Sequence, residues 1–286
     1  MVKGEMTNVF LVKLFYDGRK FHGSQRQPNV KTVEGELISL LTNLGISIAK
    51  IVSSGRTDKD VHALSQIVLF ETLASEDEIL GSVRKIATSE MIVWAVRLGV
   101  PYEFNPRYNV IHRRYLYIER NDFLRENIDK LNSIAKLFIG KKLFKCFSSY
   151  YRKTPYYMDP YRTVYSFKIY SVGDFIVFDI IADSFIKQMV RRIVATLKLY
   201  IKGVITVSDI VKMLSGVCLK APLIKPAKAE NLILFDIKVP LAFKVFRENM
   251  YKIYDYCCNS WNNALKFICS HVAIIRGKPK IVGIDF

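Results

Sequence analysis

Between Asn8 and Leu98 the hydrophobic period switches from two to 3.6 and back in an order that few folds accommodate. Asn8 to Tyr16 alternates, with Phe10, Val12, Leu14 and Tyr16 on one side, until Asp17-Gly18 turns the chain. Thr32 is an N-cap for an amphipathic helix built on Val33, Leu37, Leu40, Leu41 and Leu44, which stops at Gly45. The β-branched runs Ile46 to Val52 and Ile67 to Phe70 predict two strands. Ser75 to Thr88 predicts a second helix with Ile79, Leu80, Val83 and Ile86 inward, followed by a strand from Ile92 to Leu98. This β-α-β-β-α-β succession is that of a split βαβ, ferredoxin-like unit, and it places the chain in the α+β class.

The chain beyond it repeats that order loosely. Pro101 and Pro106 bracket Tyr102-Glu103-Phe104-Asn105, a natural boundary, so we expect one half over residues 1–100 and a second over 101–240. In the second half Ile128 to Phe138 reads as a helix, Tyr161 to Ser171 and Phe175 to Ile181 as strands, and Ser184 to about Lys202 as a long helix. Val207 to Leu214 is a further helix and Asn231 to Val239 a strand, while residues 241–286 form an extension with no evident role.

Composition narrows the partners. With 286 residues, 50% of them hydrophobic, and a mean hydropathy of +0.14, the chain can fill one large or two modest cores, which excludes a disordered chain. A formal charge of +17 and a pI near 9.6, spread along the whole chain, point to a polyanionic partner, and 16 Tyr with 18 Phe offer rings for stacking on RNA. The plainer alternative is a basic protein with no nucleic-acid role. Five cysteines without a CxxC pair predict neither a zinc site nor a disulfide framework. With no secretory leader and no apolar run long enough to span a bilayer, a cytoplasmic protein without membrane association is expected.

The densest chemistry lies in Ser53 to Gln66, between two predicted strands. Asp58 there follows Arg56 and Thr57, so its carboxylate can be kept ionised and aimed, as a carboxylate nucleophile requires; a polar turn is the plain alternative. Asp58 and Asp60, two apart, also allow a Mg²⁺-dependent phosphoryl-transfer enzyme. His22, His62, His112 and His271 lack metal-site spacing, so no metal is expected. Three basic, aromatic stretches suit RNA: Arg19 to Gln27, the strand with Arg113, Tyr115 and Tyr117 on one face, and Tyr150 to Arg162. The strand reads equally well as a solvent-facing basic strand over Ile111 and Leu116, and Arg191 by periodicity is a solvated helix cation.

The motif Gly55-Arg56-Thr57-Asp58-x-x-Val61-His62-Ala63 resembles the catalytic motif of the tRNA pseudouridine synthase A family, in which the Asp is the nucleophile and the Arg engages RNA. Three more segments share the likeness. Tyr16-Asp17-Gly18 with Phe21-x-Gly23-x-Gln25-Arg26-Gln27 is similar to the family's opening, with Ser24 where many members have Trp. Arg107-Tyr108 with Arg113-Arg114-Tyr115 resembles the segment whose Tyr lies against the target base, which maps to Tyr115. Phe185-x-x-x-Met189-Val190-Arg191 resembles the motif whose Arg pairs with the catalytic Asp, and Ala229 to Leu234 the final motif, with Asn231 in place of Gly; Asp60 also stands where the family has Gly. The resemblance implies two ferredoxin-like halves around a mixed or antiparallel central sheet, helices on one side and a basic cleft between the halves. It further implies a cofactor-independent isomerase that makes pseudouridine in the tRNA anticodon stem-loop, at positions 38 to 40, and a homodimer. A non-catalytic RNA-binding protein is the alternative.

Overall fold

The fold is known from a computed structural model that describes residues 7–149, 159–219, 224–275 and 278–281. The chain divides into two compact units, Met1–Ile111 with Leu234–Phe286, and His112–Ile233.

The first unit begins with β1, Asn8–Tyr16. The helix α1 covers Val33–Asn43, with Thr32 accepting the Gly35 amide, and β2 spans Lys50–Ser53. Then come β3, His62–Thr72, α2, Glu76–Lys85, and β4, Met91–Arg97. A reciprocal capping box between Ser75 and Glu78 sets the start of α2. β1 pairs antiparallel with β3 on one side and β4 on the other, and β2 pairs antiparallel with β3, giving the order β4-β1-β3-β2 of a ferredoxin-like sheet.

The alternation in β1 foretells one buried face, yet the strand is buried throughout from Val9. The second face is covered by residues from the far end of the sequence. Phe15 meets the ring of Tyr256 at 5.6 Å, and the Lys13 ammonium lies 5.4 Å from the ring centres of both Trp94 and Phe243. Lys13 is itself buried and bonds Asp236 at 3.0 Å, which Ser65 also reaches at 3.1 Å. A buried cation needs such a partner to offset its lost hydration.

The second unit comprises β5, His112–Arg120, the helices α3, Asp122–Glu126, and α4, Ile128–Ala135, then β6, Gly140–Leu143. It continues with β7, Tyr161–Val172, β8, Phe175–Ala182, α5, Met189–Ile201, and α6, Val207–Leu214. β5, β8, β7 and β6 are neighbours in that order, each pair antiparallel. The long helix starts five residues later than its apolar pattern predicts, because Gln188 adopts a left-handed conformation, φ 64°, that breaks the helical path. Ile186, Met189, Val190, Ile193, Val194 and Leu197 are nonetheless buried, as the periodicity requires.

After β9, Leu232–Lys238, and the short β10, Lys244–Val245, which pairs with β4, the extension forms α7, Arg247–Cys258, and α8, Asn263–His271. Buried Asn249 donates to the carbonyls of Arg84 and Val93 at 2.9 and 2.7 Å, and Glu248 pairs with Arg84, so α7 is bound to α2 and β4. The cysteine expectation is corrected here: Cys146 is disulfide-bonded to Cys218 and Cys258 to Cys269, with Cα separations of 5.2 and 5.1 Å. Sequence separations of 72 and 11 residues carry no motif, and only the fold brings these thiols within bonding reach. Among the described residues no helix is long and apolar enough to cross a membrane.

Candidate active site

Residues 54–61 join β2 to β3, and the chain N-terminal to α1 holds them from beneath. The Ser54 amide donates to the Ile67 carbonyl at 2.8 Å, and Gln66 Nε2 to the Gly55 carbonyl at 2.8 Å. The Thr57 amide donates to Ser24 Oγ at 2.9 Å, while the Ser24 amide donates to the Thr57 carbonyl at 3.2 Å. Ser24 is therefore buried and holds the loop with two hydrogen bonds. The Thr57 hydroxyl is 2.8 Å from the phenol of Tyr16, whose burial pushes its pKa up to about 12 against the pull of that hydrogen bond, keeping it neutral.

Two glycines let the backbones approach. A Cβ on Gly18 would lie 2.1 Å from the Val61 carbonyl oxygen, and Gly23, φ +97°, packs against the Thr57 carbonyl. Asp60 has φ 68°, the left-handed region that Gly adopts most easily and Asp better than most residues. That explains how Asp can stand where a Gly is usual. The loop then closes with the Val61 amide on the Asp58 carbonyl at 3.2 Å. Asp58 is half-buried at its tip and Arg56 exposed.

Beneath the loop lies a second carboxylate that the sequence did not single out. Asp17 is fully buried; burial alone would raise its pKa, but hydrogen bonds from His62, Arg19 and Tyr256 hold it well below the usual carboxylate range. Arg19 bonds both carboxylate oxygens, the Tyr256 hydroxyl donates to Oδ2 at 2.7 Å, and His62 Nδ1 is 3.2 Å from Oδ1 and from the Gly18 amide. The tyrosine comes from α7, 239 residues along the chain, and no local pattern announces it.

Arg56 and Asp58 thus lie together in the first unit, whereas Tyr115 and Arg191 belong to the second. Arg113, Tyr115 and Tyr117, which share one face of β5, are all buried. Arg113 donates to the Asp183 carbonyl at 2.8 Å, and burial lowers its pKa. Tyr117 accepts from Asn231 Nδ2 at 3.3 Å under the Lys198 ammonium, and Tyr115 sits edge-on to Phe185 with ring centres 5.0 Å apart. The strand is not a basic outer layer over Ile111 and Leu116, since Ile111 is 52% exposed and Arg114 on the other face makes a two-point pair with Asp179 at 2.9 and 2.7 Å. Arg191, near the start of α5, donates from Nε to the Ala227 carbonyl at 2.7 Å while its own carbonyl accepts the Ala227 amide. The Tyr150 to Arg162 surface falls largely outside the described residues. Among those described, no three His, Cys, Asp or Glu side chains are grouped so as to hold a metal ion.

An α+β protein with a carboxylate loop pinned by its neighbours' backbone is the class that these features define. The sequence profile of the tRNA pseudouridine synthase family matches residues 134–240. The tRNA pseudouridine synthase A of Pyrococcus horikoshii is 35% identical over 250 residues, which span 84% of this chain and 92% of that protein. Its namesake from Pyrococcus furiosus is 35% identical over 79% of this chain and 82% of its own length, and that of Methanosarcina barkeri 36% over 71% and 75%. The chain belongs to the tRNA pseudouridine synthase A family.

Proposed function

We propose that this protein isomerises uridine to pseudouridine in the anticodon stem-loop of tRNA, with Asp58 as nucleophile. The observation that carries the reading is the loop of residues 54–61, whose backbone is bonded by Ser24 and Gln66 and packed on Gly18 and whose Thr57 side chain meets Tyr16, with Asp58 at its tip in a chain of this family. A nucleophile must be held near its productive geometry, and rigid neighbours supply that.

The reaction breaks the bond between N1 of uracil and C1′ of ribose, turns the base, forms the bond from C5 to C1′, and moves a proton from C5 to N1. Electrons balance without an oxidant or a transferred group, so no cofactor is required. A carboxylate can carry the ribose or the base as a covalent adduct while the uracil turns, as a carboxylate does at the anomeric carbon in retaining glycosidases. A target within a stem must first leave its stack, and the exposed guanidinium of Arg56 is suited to take the vacated place. By the family resemblance, Tyr115 bears on the target base and Arg191 keeps the nucleophile ionised. Cytoplasmic location and a homodimer belong to the same proposal, the latter tested by light scattering with and without tRNA.

Base analysis of tRNA incubated with the purified protein tests the reading. Pseudouridine should form and map to the anticodon stem-loop; Asp58→Asn and Asp58→Ala should lose at least about 1,000-fold in turnover with tRNA affinity within a few fold. Wild-type turnover in Asp58→Asn would sink the nucleophile assignment. Activity should persist in chelator; loss restored by Mg²⁺ would instead favour a metal site at Asp58 and Asp60. Arg191→Ala should raise the acidic limb of the pH-rate profile, and an unmoved profile would refute its role.

A further inference from the structure

The extension lines a groove whose wall includes Arg19, the partner of Asp17. The groove is open to solvent and offers about 580 Å³, room for a nucleotide. One wall is a single face of α7, where Lys252, Asp255, Tyr256 and Asn259 recur at helical spacing; Thr88 and Ser89 with Arg19 face it. At its rim stands Trp261, 96% exposed, the most exposed large apolar side chain among the described residues. The disulfide between Cys258 and Cys269 closes the loop that contains Asn259, Ser260 and Trp261, so the indole is displayed on a covalently tied segment.

An indole left in water on a constrained loop has no structural use, because it buries nothing in the fold; a rigid aromatic face beside cations is what a single-stranded base and its phosphate require. Lys252 supplies the charge, and Arg19, held in place by buried Asp17, presents the edge of its guanidinium as a further donor. Asp255 is an acceptor for the exocyclic amino group of adenine, cytosine or guanine. We propose that this groove is an auxiliary RNA subsite that takes one unpaired nucleotide of the bound tRNA, with its base stacked on Trp261. The inference rests on the tRNA reading above and adds to it a contact made by the C-terminal extension.

The protein contains two tryptophans, and the other, Trp94, is fully buried with its indole N–H on the Leu64 carbonyl, so emission from Trp261 is the signal that bound RNA should alter. Titration with an unmodified tRNA transcript should quench the wild-type emission. Trp261→Ala should weaken tRNA binding about ten-fold, as expected for one base stacked on an aromatic side chain, with turnover at saturating tRNA unchanged. Trp261→Phe should keep most of the affinity and lose the quenching. At 96% exposure Trp261 makes no packing contact that folding depends on, and an unchanged thermal melt checks that the variants fold. If wild-type protein forms pseudouridine but Trp261→Ala binds tRNA within two-fold of wild type, or quenching survives in Trp261→Phe, the subsite is refuted while the enzymatic reading stands. A wild-type protein that neither binds nor modifies tRNA overturns both.

Discussion

The loop of residues 54–61 and the strand β5 both carry arginine among other polar residues, and the fold treats them in opposite ways. In the loop the holding is done by backbone groups and by Ser24, Tyr16 and Gln66 from outside its tip, which leaves Arg56 exposed and Asp58 half-buried. In β5 the polar side chains themselves do the holding: Arg113 on the Asp183 carbonyl, Arg114 on Asp179, Tyr117 with Asn231. A cation buried against an acceptor is committed to stability, whereas one displayed by a fixed backbone remains available to a ligand. The presence of arginine alone does not separate the two, because both stretches carry it.

Substitutions can break or sharpen this contrast. The largest effect is expected from Gly18→Ala, whose methyl would meet the Val61 carbonyl oxygen at 2.1 Å; it should lower stability in denaturant unfolding by about 3 kcal/mol or more and disable the loop. Arg113→Ala leaves a part-buried carbonyl without its donor and empties the space of a buried side chain, and should cost about 2–3 kcal/mol. Arg56→Ala, by contrast, should change stability by less than about 0.5 kcal/mol while flattening the salt dependence of tRNA binding by about one counterion. Equal stability losses from these two arginines would erase the distinction.

Asp17 gives a pH test of what lies beneath the loop. Its pKa is depressed in the folded protein, so the stability it contributes is present above its unfolded value, about 4, and is lost as pH falls below that toward the folded value. Asp17→Asn should therefore cost about 2 kcal/mol at neutral pH and make acid unfolding less steep; an unchanged acid limb would show that the buried network does not depend on its charge. A small gain is expected from Asp60→Gly, which relieves a left-handed φ of 68° and should raise the free energy of unfolding by only about 0.5 kcal/mol, since the more flexible unfolded chain offsets part of the gain.

Local periodicity was enough to find the first ferredoxin-like unit, because β1, α1, β2, β3, α2 and β4 each announce themselves by caps, turns and apolar spacing within a few residues. The loop that carries Asp58 was legible for the same reason: its residues are adjacent in one short stretch. What the sequence could not disclose are relations between distant segments. The two disulfides, the pairing of Lys13 with Asp236, the burial of Arg113, and the reach of Tyr256 to Asp17 each join residues that share no motif. Burial is the property that decides them. Whether Lys13 or Arg113 faces water depends on which remote element covers its strand, and one strand's alternation specifies that it has two faces without specifying what packs on the second.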